Sequence, residues 1–273
     1  MPVLYLVATP IGNMEDVTLR AVRVLKEVGL IAAEDTRKTR RLLTVHDIHT
    51  PLTSYSEKNK RTKLPNLIAR LRETDVALVS DAGMPGLSDP GFELVVSAIA
   101  EGFTIVPVPG PSAVLTALVV SGLPVHRFTY LGFLPRKSGD RRRALTAVAS
   151  ERGTLVTFEA PHRLAHSLED IERCLGDRRI AVCRELTKIH EEVYRGTVSA
   201  ARQHFAEPRG EFTLVIEGAG ENQVVPCAPE DLVGEVEVLR RGGMRLKDAV
   251  VQVAGLRGIS KRTLYQAYQK AAG

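Results

Sequence analysis

The sequence predicts an α/β protein made of two α/β domains and a small C-terminal helical appendage. Three observations support this fold class. Short apolar strand patterns alternate with helical patterns, the alternation starts again after Gly122-Leu123-Pro124, and only helical periodicity follows residue 229. The predicted domains are 1–122 and 123–220, the appendage is 229–273, and 218–229 forms a linker. A chain of 273 residues is longer than a typical single domain, which agrees with this division.

The first domain alternates regularly between strand and helix patterns. Its predicted elements are a strand at 4–8, a helix ending near 28, a strand at 30–33, a helix at 60–73, a strand at 76–80, a helix at 90–101, a strand at 103–108 and a helix starting within 109–113. Such alternation indicates a mostly parallel sheet with helices on both faces. Asp89 is predicted to cap the helix whose first residue is Pro90.

The second domain repeats the alternation, and the appendage is purely helical. The predicted elements are strands at 128–131, 154–158, 180–184, 193–195 and 212–217, helices from about 140, at 162–175 and at 200–205, and appendage helices at 231–240, 246–256 and 260–270. The spacing over 246–265 resembles a helix-turn-helix, with Ser260 as the cap of its second helix. An appendage that only packs against the second domain or a dimer partner explains the same apolar positions.

Charge is concentrated in two basic segments. The formal net charge is +5, five cations lie within 135–143, and eight lysines and arginines but one acid, Asp248, lie within 238–273. Charge runs are usually solvated surfaces, but two of them in one chain make a nucleic acid partner a reasonable hypothesis. The residues expected to contact nucleic acid phosphates are Arg136, Lys137, Arg141, Arg142, Arg143, Lys261 and Arg262.

Composition also limits location and cofactors. No apolar run reaches the roughly 20 residues that span a bilayer, and the first residues lack a charged signal-peptide start, so we expect a cytoplasmic protein without membrane attachment. Three cysteines, Cys174, Cys183 and Cys227, have neither zinc nor disulfide spacing and are expected to be reduced core residues. No metal site is predicted.

The segment 79–91 has the features of a ligand loop. It follows an apolar strand and contains Gly83, Gly86 and Gly91, which permit positive φ and close backbone approach, while Asp81 and Ser88 supply polar atoms. Ligands of open α/β sheets bind at the carboxyl ends of strands. An ordinary tight connection would have a similar composition. The chain has no phosphate-binding Gly-x-x-x-x-Gly-Lys loop and no nucleophile elbow, so a cofactor held by loops is the remaining interpretation.

Eight short motifs occur in order along the chain. They are Ala8-Thr-Pro-Ile-Gly-Asn13, Ala33-Glu-Asp-Thr-Arg37, the segment 80–91, Pro109-Gly-Pro-Ser-Ala113, Gly132-Phe-Leu-Pro135, Glu159-Ala-Pro-His-Arg163, Arg184-Glu-Leu-Thr-Lys188 and Gly210-Glu-Phe-Thr-Leu214. Together they resemble the tetrapyrrole methylase superfamily, and within it the ribosomal RNA small-subunit methyltransferase I group. The resemblance extends from about residue 3 to the C-terminus.

This resemblance implies S-adenosylmethionine as methyl donor, a cofactor cleft between the two domains, and a homodimer. It implies as acceptor the 2′-hydroxyl of a cytidine in the decoding region of small-subunit ribosomal RNA. By motif position the cofactor-binding residues are Pro10, Ile11, Asp81, Gly83, Met84, Ser112, Ala113, Phe158 and Thr213. Met84 departs from the family pattern, in which a small polar residue is common, so a side-chain hydrogen bond is not expected there.

A ribose hydroxyl becomes a good nucleophile only as its proton leaves, so a base or a cationic neighbour is expected near the methyl group. The candidates are side chains at strand ends, namely Glu34, Asp35, Arg37, Glu185 and Lys188. A structural alternative is a salt-bridge network of Arg184, Glu185 and Lys188 with Glu191 and Glu192.

Two other functions fit parts of the sequence. Within the same fold, the substrate could be a corrinoid or porphyrin precursor, although a small ligand needs no outlying basic appendage. From a different class, the chain could be a non-catalytic RNA-binding or ribosome-assembly factor that retains a metabolite pocket. Transfer of a labelled methyl group separates this last function from both enzymes.

Overall fold

The computed structural model describes residues 2–220, 229–257 and 259–272. These residues form two compact units, of which unit 1 comprises Met1–Thr116 and Leu186–Ile189, and unit 2 comprises Ala117–Glu185 and His190–Gly273. Most of the predicted linker, and Cys227 within it, lies outside the described residues. Within the described residues, no helix combines the length and the apolar character that a membrane crossing requires.

Unit 1 contains a fully parallel sheet with the strand order β3-β2-β4-β1-β5. The strands are β1 (Val3–Val7), β2 (Leu30–Ala33), β3 (Leu52–Ser54), β4 (Val76–Val79) and β5 (Thr104–Val108). The helices are α1 (Leu19–Glu27), α2 (Thr36–Val45), α3 (Lys60–Leu71) and α4 (Phe92–Ala100), followed by α5 (Ala113–Val120). The predicted parallel sheet is confirmed.

Both faces of this sheet are covered by helices, as predicted. All four residues of the central strand β4 are buried, and their side chains alternate between two cores. Ala77 and Val79 pack with α1 and α2, whereas Val76 and Leu78 pack with α3 and α4. A strand buried on both faces reads as a continuous apolar run, which is the pattern that identifies β4 in the sequence.

Two elements of unit 1 escaped prediction, and one cap was wrong. Helix α2 is rich in cations and buries only Thr39, Leu42 and Leu43, so its apolar periodicity is weak. Strand β3 has only three residues, all partly exposed. Helix α4 begins at Phe92 with Gly91 in the N-cap position, not Asp89, because the positive φ of 154° at Gly91 turns the chain just before the helix.

Unit 2 contains a mixed sheet with the order β6-β7-β10-β8-β9. Only β6 and β7 are parallel, and the other neighbours are antiparallel. The elements are β6 (Phe128–Phe133), α6 (Ser138–Ala147), β7 (Thr154–Glu159), α7 (Leu164–Leu175), β8 (Arg179–Arg184), β9 (Glu192–Thr197), α8 (Val198–His204) and β10 (Phe212–Ile216). The three helices share one core with the sheet. Cys174 and Cys183 are buried and reduced, as predicted.

The appendage is helical, as predicted. A 3-10 helix, Pro229–Leu232, leads into α9 (Val233–Arg241), α10 (Leu246–Arg257) and α11 (Lys261–Ala272). These helices have a core of their own, which includes Leu232, Val236, Val253 and Leu264. The appendage is therefore a packed small bundle and not a set of separate helices.

Candidate functional site

The loop after β4 is joined to the loop after β1 by paired backbone hydrogen bonds. Thr9 N donates to Gly83 O at 2.9 Å, and Gly83 N donates to Thr9 O at 3.0 Å. A Cβ on Gly83 would lie 3.6 Å from Ile11 Cγ2 and 3.6 Å from Pro111 O. The structure thus brings together three loops of unit 1 that carry predicted cofactor-binding residues: Pro10 and Ile11, Gly83 and Met84, and Ser112 and Ala113, which follow Pro111 directly.

The conformation of the loop depends on its glycines. Gly83 and Gly86 have φ values of 77° and 84°, in the left-handed region that glycine occupies without steric cost. No described heavy atom lies within 4 Å of the place that a Cβ on Gly86 would take. Gly86 therefore faces open space on this side.

Asp81 connects the ends of the neighbouring strands β2 and β4. Its Oδ1 accepts a hydrogen bond from Asp35 N at 3.0 Å, and its Oδ2 lies 2.7 Å from Lys38 Nζ. In return, Asp81 N donates to Glu34 Oε2 at 3.3 Å. Parallel strands end at the same edge of a sheet, so this cluster follows from the strand order.

Two carboxyl groups at this edge have raised pKa values. Burial, together with the negative charges of Asp81 and Asp35, raises the pKa of Glu34, although a hydrogen bond from the Asp81 amide opposes the shift. Burial, followed by the charges of Glu34 and Asp81, raises the pKa of Asp89 from 3.8 to about 7. A group with a pKa near 7 exchanges protons at neutral pH, so Asp89 has the acidity that a general base requires.

Sequence reasoning missed Asp89 and Lys38 as site residues. The local pattern around Asp89 indicates only a helix cap, and Lys38 lies on the helix α2, which was not predicted. The proximity of Lys38 to Asp81 depends on the pairing of β2 with β4, which no local pattern encodes. The available signal for Asp89 was its place in the same glycine-rich segment as Asp81.

Asp35 and Arg37 are paired with each other. Asp35 caps α2 by accepting from Arg37 N at 2.8 Å, and its Oδ2 lies 2.9 Å from Arg37 Nη2. The hydrogen bonds from Arg37 lower the pKa of Asp35 to about 2. Asp35 is consequently a weak base at neutral pH, while the Arg37 side chain is 87% exposed.

Glu185 and Lys188 fall in different units. In unit 2, Glu185 Oε1 accepts from Glu211 N at 2.8 Å, and Glu185 N donates to Glu211 O at 2.9 Å. In unit 1, a Cβ on Gly12 would lie 2.6 Å from Lys188 Cγ, so glycine is required for this close approach. Of the expected salt-bridge network, Arg184 pairs with Glu192 at 2.9 Å.

Phe158 and Thr213 are direct cross-strand partners in unit 2. They pair in the register of β7 and β10, so their side chains share one face of the sheet. Phe158 packs its ring against Tyr130 and Phe133, with centroid distances of 5.3 and 5.4 Å. Cys183 is the partner of Thr213 on β8, and burial raises the pKa of its thiol to about 12, which makes it unreactive.

The predicted RNA contacts separate into exposed and buried cations. Arg136, Lys137, Lys261 and Arg262 are exposed and have no ion-pair partner in the described part of the chain. Arg143 is also exposed and pairs with Asp140.

The other two arginines of α6 differ, and one requires a correction. Arg141 is 4% exposed, its Nε donates to Asp170 Oδ2 at 2.7 Å, and its Nη1 donates to the Arg136 carbonyl at 3.2 Å. Because this guanidinium is buried and hydrogen-bonded inside unit 2, Arg141 does not belong to an RNA-binding surface. Arg142 is partly buried, and its Nη1 lies 3.6 Å from Asp231 Oδ1.

Comparison with known proteins adds a family and a fold. The profile of the tetrapyrrole (corrin/porphyrin) methylases matches residues 3–202. Proteins named ribosomal RNA small subunit methyltransferase I are similar along almost the whole chain: that of Halalkalibacterium halodurans is 50% identical over 98% of this chain and 94% of the relative, and that of Bacillus subtilis is 44% identical over the same shares.

Other matches cover a smaller share of this chain. The relative of the same name from Thermotoga maritima is 47% identical over 79% of this chain and 98% of its own length, so about a fifth of this chain has no counterpart there. The uroporphyrin III C-methyl transferase of Thermus thermophilus has a TM-score of 0.57 at 21% identity, with 79% and 97% of the two chains covered. A diphthine synthase has a TM-score of 0.64 at 14% identity, with 79% and 90% covered. These two structures share the fold.

Proposed function

This chain belongs to the tetrapyrrole (corrin/porphyrin) methylase family, and from that premise we propose that it transfers a methyl group from S-adenosylmethionine to small-subunit ribosomal RNA. The observation that carries the proposal is the 50% identity, over nearly the full length, to a protein named for that activity. We propose the 2′-hydroxyl of a cytidine in the decoding region as the acceptor. The two exposed basic segments suit such a polyanionic substrate.

The proposed cofactor-binding residues of unit 1 are Pro10, Ile11, Asp81, Gly83, Met84, Ser112 and Ala113, and those of unit 2 are Phe158 and Thr213. The loops of unit 1 fit this cofactor because of the chemical groups that they offer. Their backbone amides and carbonyls can hydrogen-bond to adenine and ribose, and the Ile11 side chain and the space beside Gly86 provide an apolar, uncharged wall. When bound, S-adenosylmethionine supplies an electrophilic methyl carbon.

The protein's own contribution is to position the acceptor and to take its proton. Holding the hydroxyl oxygen about 3 Å from the methyl carbon, in line with the bond that breaks, removes much of the entropic barrier. We propose Asp89, supported by Glu34, as the proton acceptor, because its pKa of about 7 leaves a large ionised fraction at neutral pH. Asp35, whose pKa is about 2, is the weaker base of this cluster.

Among the remaining candidates, cations and structural carboxylates have different roles. Arg37 and Lys188 are proposed to stabilise negative charge that develops on the acceptor oxygen. Glu185 is proposed to hold the start of β10 through its bond to the Glu211 amide rather than to take a proton. We also propose that the protein acts in the cytoplasm, since its substrate is part of the ribosome. The family resemblance further leads us to propose a homodimer.

The proposal is tested by incubating the protein with labelled S-adenosylmethionine and small ribosomal subunits that lack the modification. The expected product is one ribose-methylated cytidine, located by nuclease digestion and mass spectrometry. Subunits that already carry the methyl group serve as the matched control and accept no label. Tight cofactor binding without transfer to subunits would overturn the proposal. Transfer to a porphyrin or corrin precursor would then identify the alternative substrate class.

A further inference from the structure

Asp231 lies in the 3-10 helix that starts the appendage, and its side chain is only 8% exposed. Its carboxylate faces two arginines of unit 2 that belong to different helices. The distance from Oδ1 to Arg142 Nη1 on α6 is 3.6 Å, and the distance from Oδ2 to Arg173 Nε on α7 is 3.4 Å. The start of the appendage therefore lies against these two helices, with its carboxylate between their guanidinium groups.

Packing supports the same attachment. Gly234, close to Asp231 in the chain, lies beside Arg143 of α6, with 3.7 Å between a Cβ on Gly234 and Arg143 Cδ. The 3-10 helix contacts both α6 and α11. The appendage therefore packs on α6 close to Asp231, and both the appendage and α6 have exposed cations.

The appendage presents cations that its own acids do not neutralise. Arg257 pairs with Glu235, and Arg240 and Arg241 lie near Glu237, so these three are used internally. The exposed cations without an ion-pair partner in the described part of the appendage are Arg245, Lys247, Lys261, Arg262 and Lys270.

The second group of exposed cations lies at α6. Two of its members directly precede the helix and the third is on its first turns; they are Arg136, Lys137 and Arg143. Arg143 is also the residue that Gly234 of the appendage approaches. Arg143 therefore lies where the appendage packs on α6.

We propose that Asp231 is a positioning residue that holds the appendage on α6, so that both present one continuous surface to ribosomal RNA. This inference rests on the proposed function, because it takes RNA as the substrate. Two basic patches that are held in fixed positions bind a polyanion more tightly than the same patches on a loose connection, because less conformational freedom is lost when the second patch binds. Asp231 thereby strengthens RNA binding although it is itself an anion and touches no phosphate.

The test compares two substitutions that remove the same charge, Asp231→Asn and Asp248→Asn. Asp248 is exposed on α10, and loss of a negative charge there leaves RNA affinity equal or slightly higher. Asp231→Asn is expected to have the opposite effect, weakening binding to small-subunit ribosomal RNA by about tenfold. In methyl transfer, KM for the RNA rises while kcat at saturation is unchanged. Equal behaviour of the two variants would overturn the proposal.

The salt dependence of binding supplies a readout that a purely structural role would not produce. Each lost phosphate contact lowers the salt slope by about 0.9 in a duplex. Neutralising Lys261 and Arg262 together is therefore expected to lower the slope in the otherwise unchanged protein, but to have little effect in the Asp231→Asn background. An equal change in both backgrounds would show that Asp231 does not position these cations, and would overturn the proposal.

If Asp231→Asn fails to fold, Arg173→Gln removes one contact of Asp231 and Arg179→Gln is its charge-matched control, because Arg179 is exposed and pairs with Glu217. Arg173→Gln is expected to weaken RNA binding more than Arg179→Gln, and equal losses would count against the proposal. Binding is measured on the full chain by fluorescence anisotropy without cofactor. Normal RNA binding without methyl transfer would therefore refute the proposed function but not the role of Asp231.

Discussion

The acidic side chains of the two units have different neighbours. In unit 2, Asp170 pairs with Arg141 at 2.6 Å, and Glu159, whose side chain is fully buried, pairs with Arg163 at 3.1 Å. In unit 1, the carboxylates at the ends of β2 and β4 lie close to one another, and Lys38 is the cation that contacts Asp81. The buried acids of unit 2 thus lie beside arginines, whereas the acids at this edge of unit 1 lie close to other acids.

This difference indicates a structural role for the buried acids of unit 2 and a candidate functional role for the acids of unit 1. A buried carboxylate beside an arginine ties two elements together, and removal of its partner leaves an uncompensated charge. Burial, and after it the charges of neighbouring carboxylates, raises the pKa values of Glu34 and Asp89, so these groups hold their protons more tightly. Perturbed carboxyl groups at the end of a parallel sheet are typical of functional sites.

The largest expected effect is on the stability of unit 2. Arg141→Met removes the guanidinium that pairs with the buried Asp170, which leaves only Ser138 and the more distant Arg142 near that carboxylate. We expect a loss of about 3 kcal/mol in the free energy of unfolding. Urea denaturation monitored by circular dichroism measures the loss.

The neighbouring arginine is the control for this prediction. Arg143→Met, on the same helix, removes an exposed ion pair to Asp140 and is expected to cost less than about 1 kcal/mol. Similar losses for Arg141→Met and Arg143→Met would contradict the importance of arginine partners for the buried acids of unit 2.

The second largest effect is expected for Asp89→Asn, which should raise stability and lower activity. Because the folded pKa of about 7 exceeds the unfolded value of 3.8, the contribution of Asp89 to stability falls as the pH rises from about 4 to 7. Asp89→Asn is expected to stabilise the protein by about 2 kcal/mol at pH 8, after allowance for partial solvent exposure, and to have little effect at pH 4. Thermal unfolding at the two pH values measures this difference.

Activity provides the other half of the Asp89 prediction. The rate of methyl transfer in the unchanged protein is expected to rise with pH up to about 7, where Asp89 ionises. Asp89→Asn is expected to lower the rate about 100-fold, in the range that general bases contribute, with cofactor affinity retained. Asp47→Asn, at an exposed acid of unit 1, serves as control. An Asp89→Asn variant with full activity would exclude Asp89 as the proton acceptor.

The sequence predicted the architecture where patterns are local. The buried run of β4 and the alternation of strands and helices were enough to predict the parallel sheet of unit 1. Helix α2 was missed because its surface is mostly cationic and only three of its residues are buried. The antiparallel neighbours of β10 were not predicted either, since strand direction depends on long-range pairing that apolar periodicity does not report.

The site was predictable as a set of loops but not as a set of contacts. The glycines of 80–91 predicted the open loop, whereas the grouping of Asp89 with Glu34 and Asp81 requires the order of β2 and β4 in the sheet. The reverse holds for Arg141, whose sequence neighbours indicate a basic surface patch. Its burial depends on Asp170, 29 residues away in the chain, so sequence alone could not separate it from Arg143.

The smallest expected effect tests whether crowding at the strand edge controls the acidity of Asp89. The positive charge of Lys38 lowers the pKa of both Asp89 and Glu34, so Lys38→Met is expected to raise these pKa values further. The pH at which methyl transfer reaches half its maximum should then increase by a fraction of a pH unit, because an exposed lysine acts through a strongly screening solvent. Lys26→Met, at an exposed position of α1, is the charge-matched control and should leave the profile unchanged. An identical pH profile for both variants would mean that the charge of Lys38 does not influence the titration of Asp89, which would contradict this prediction.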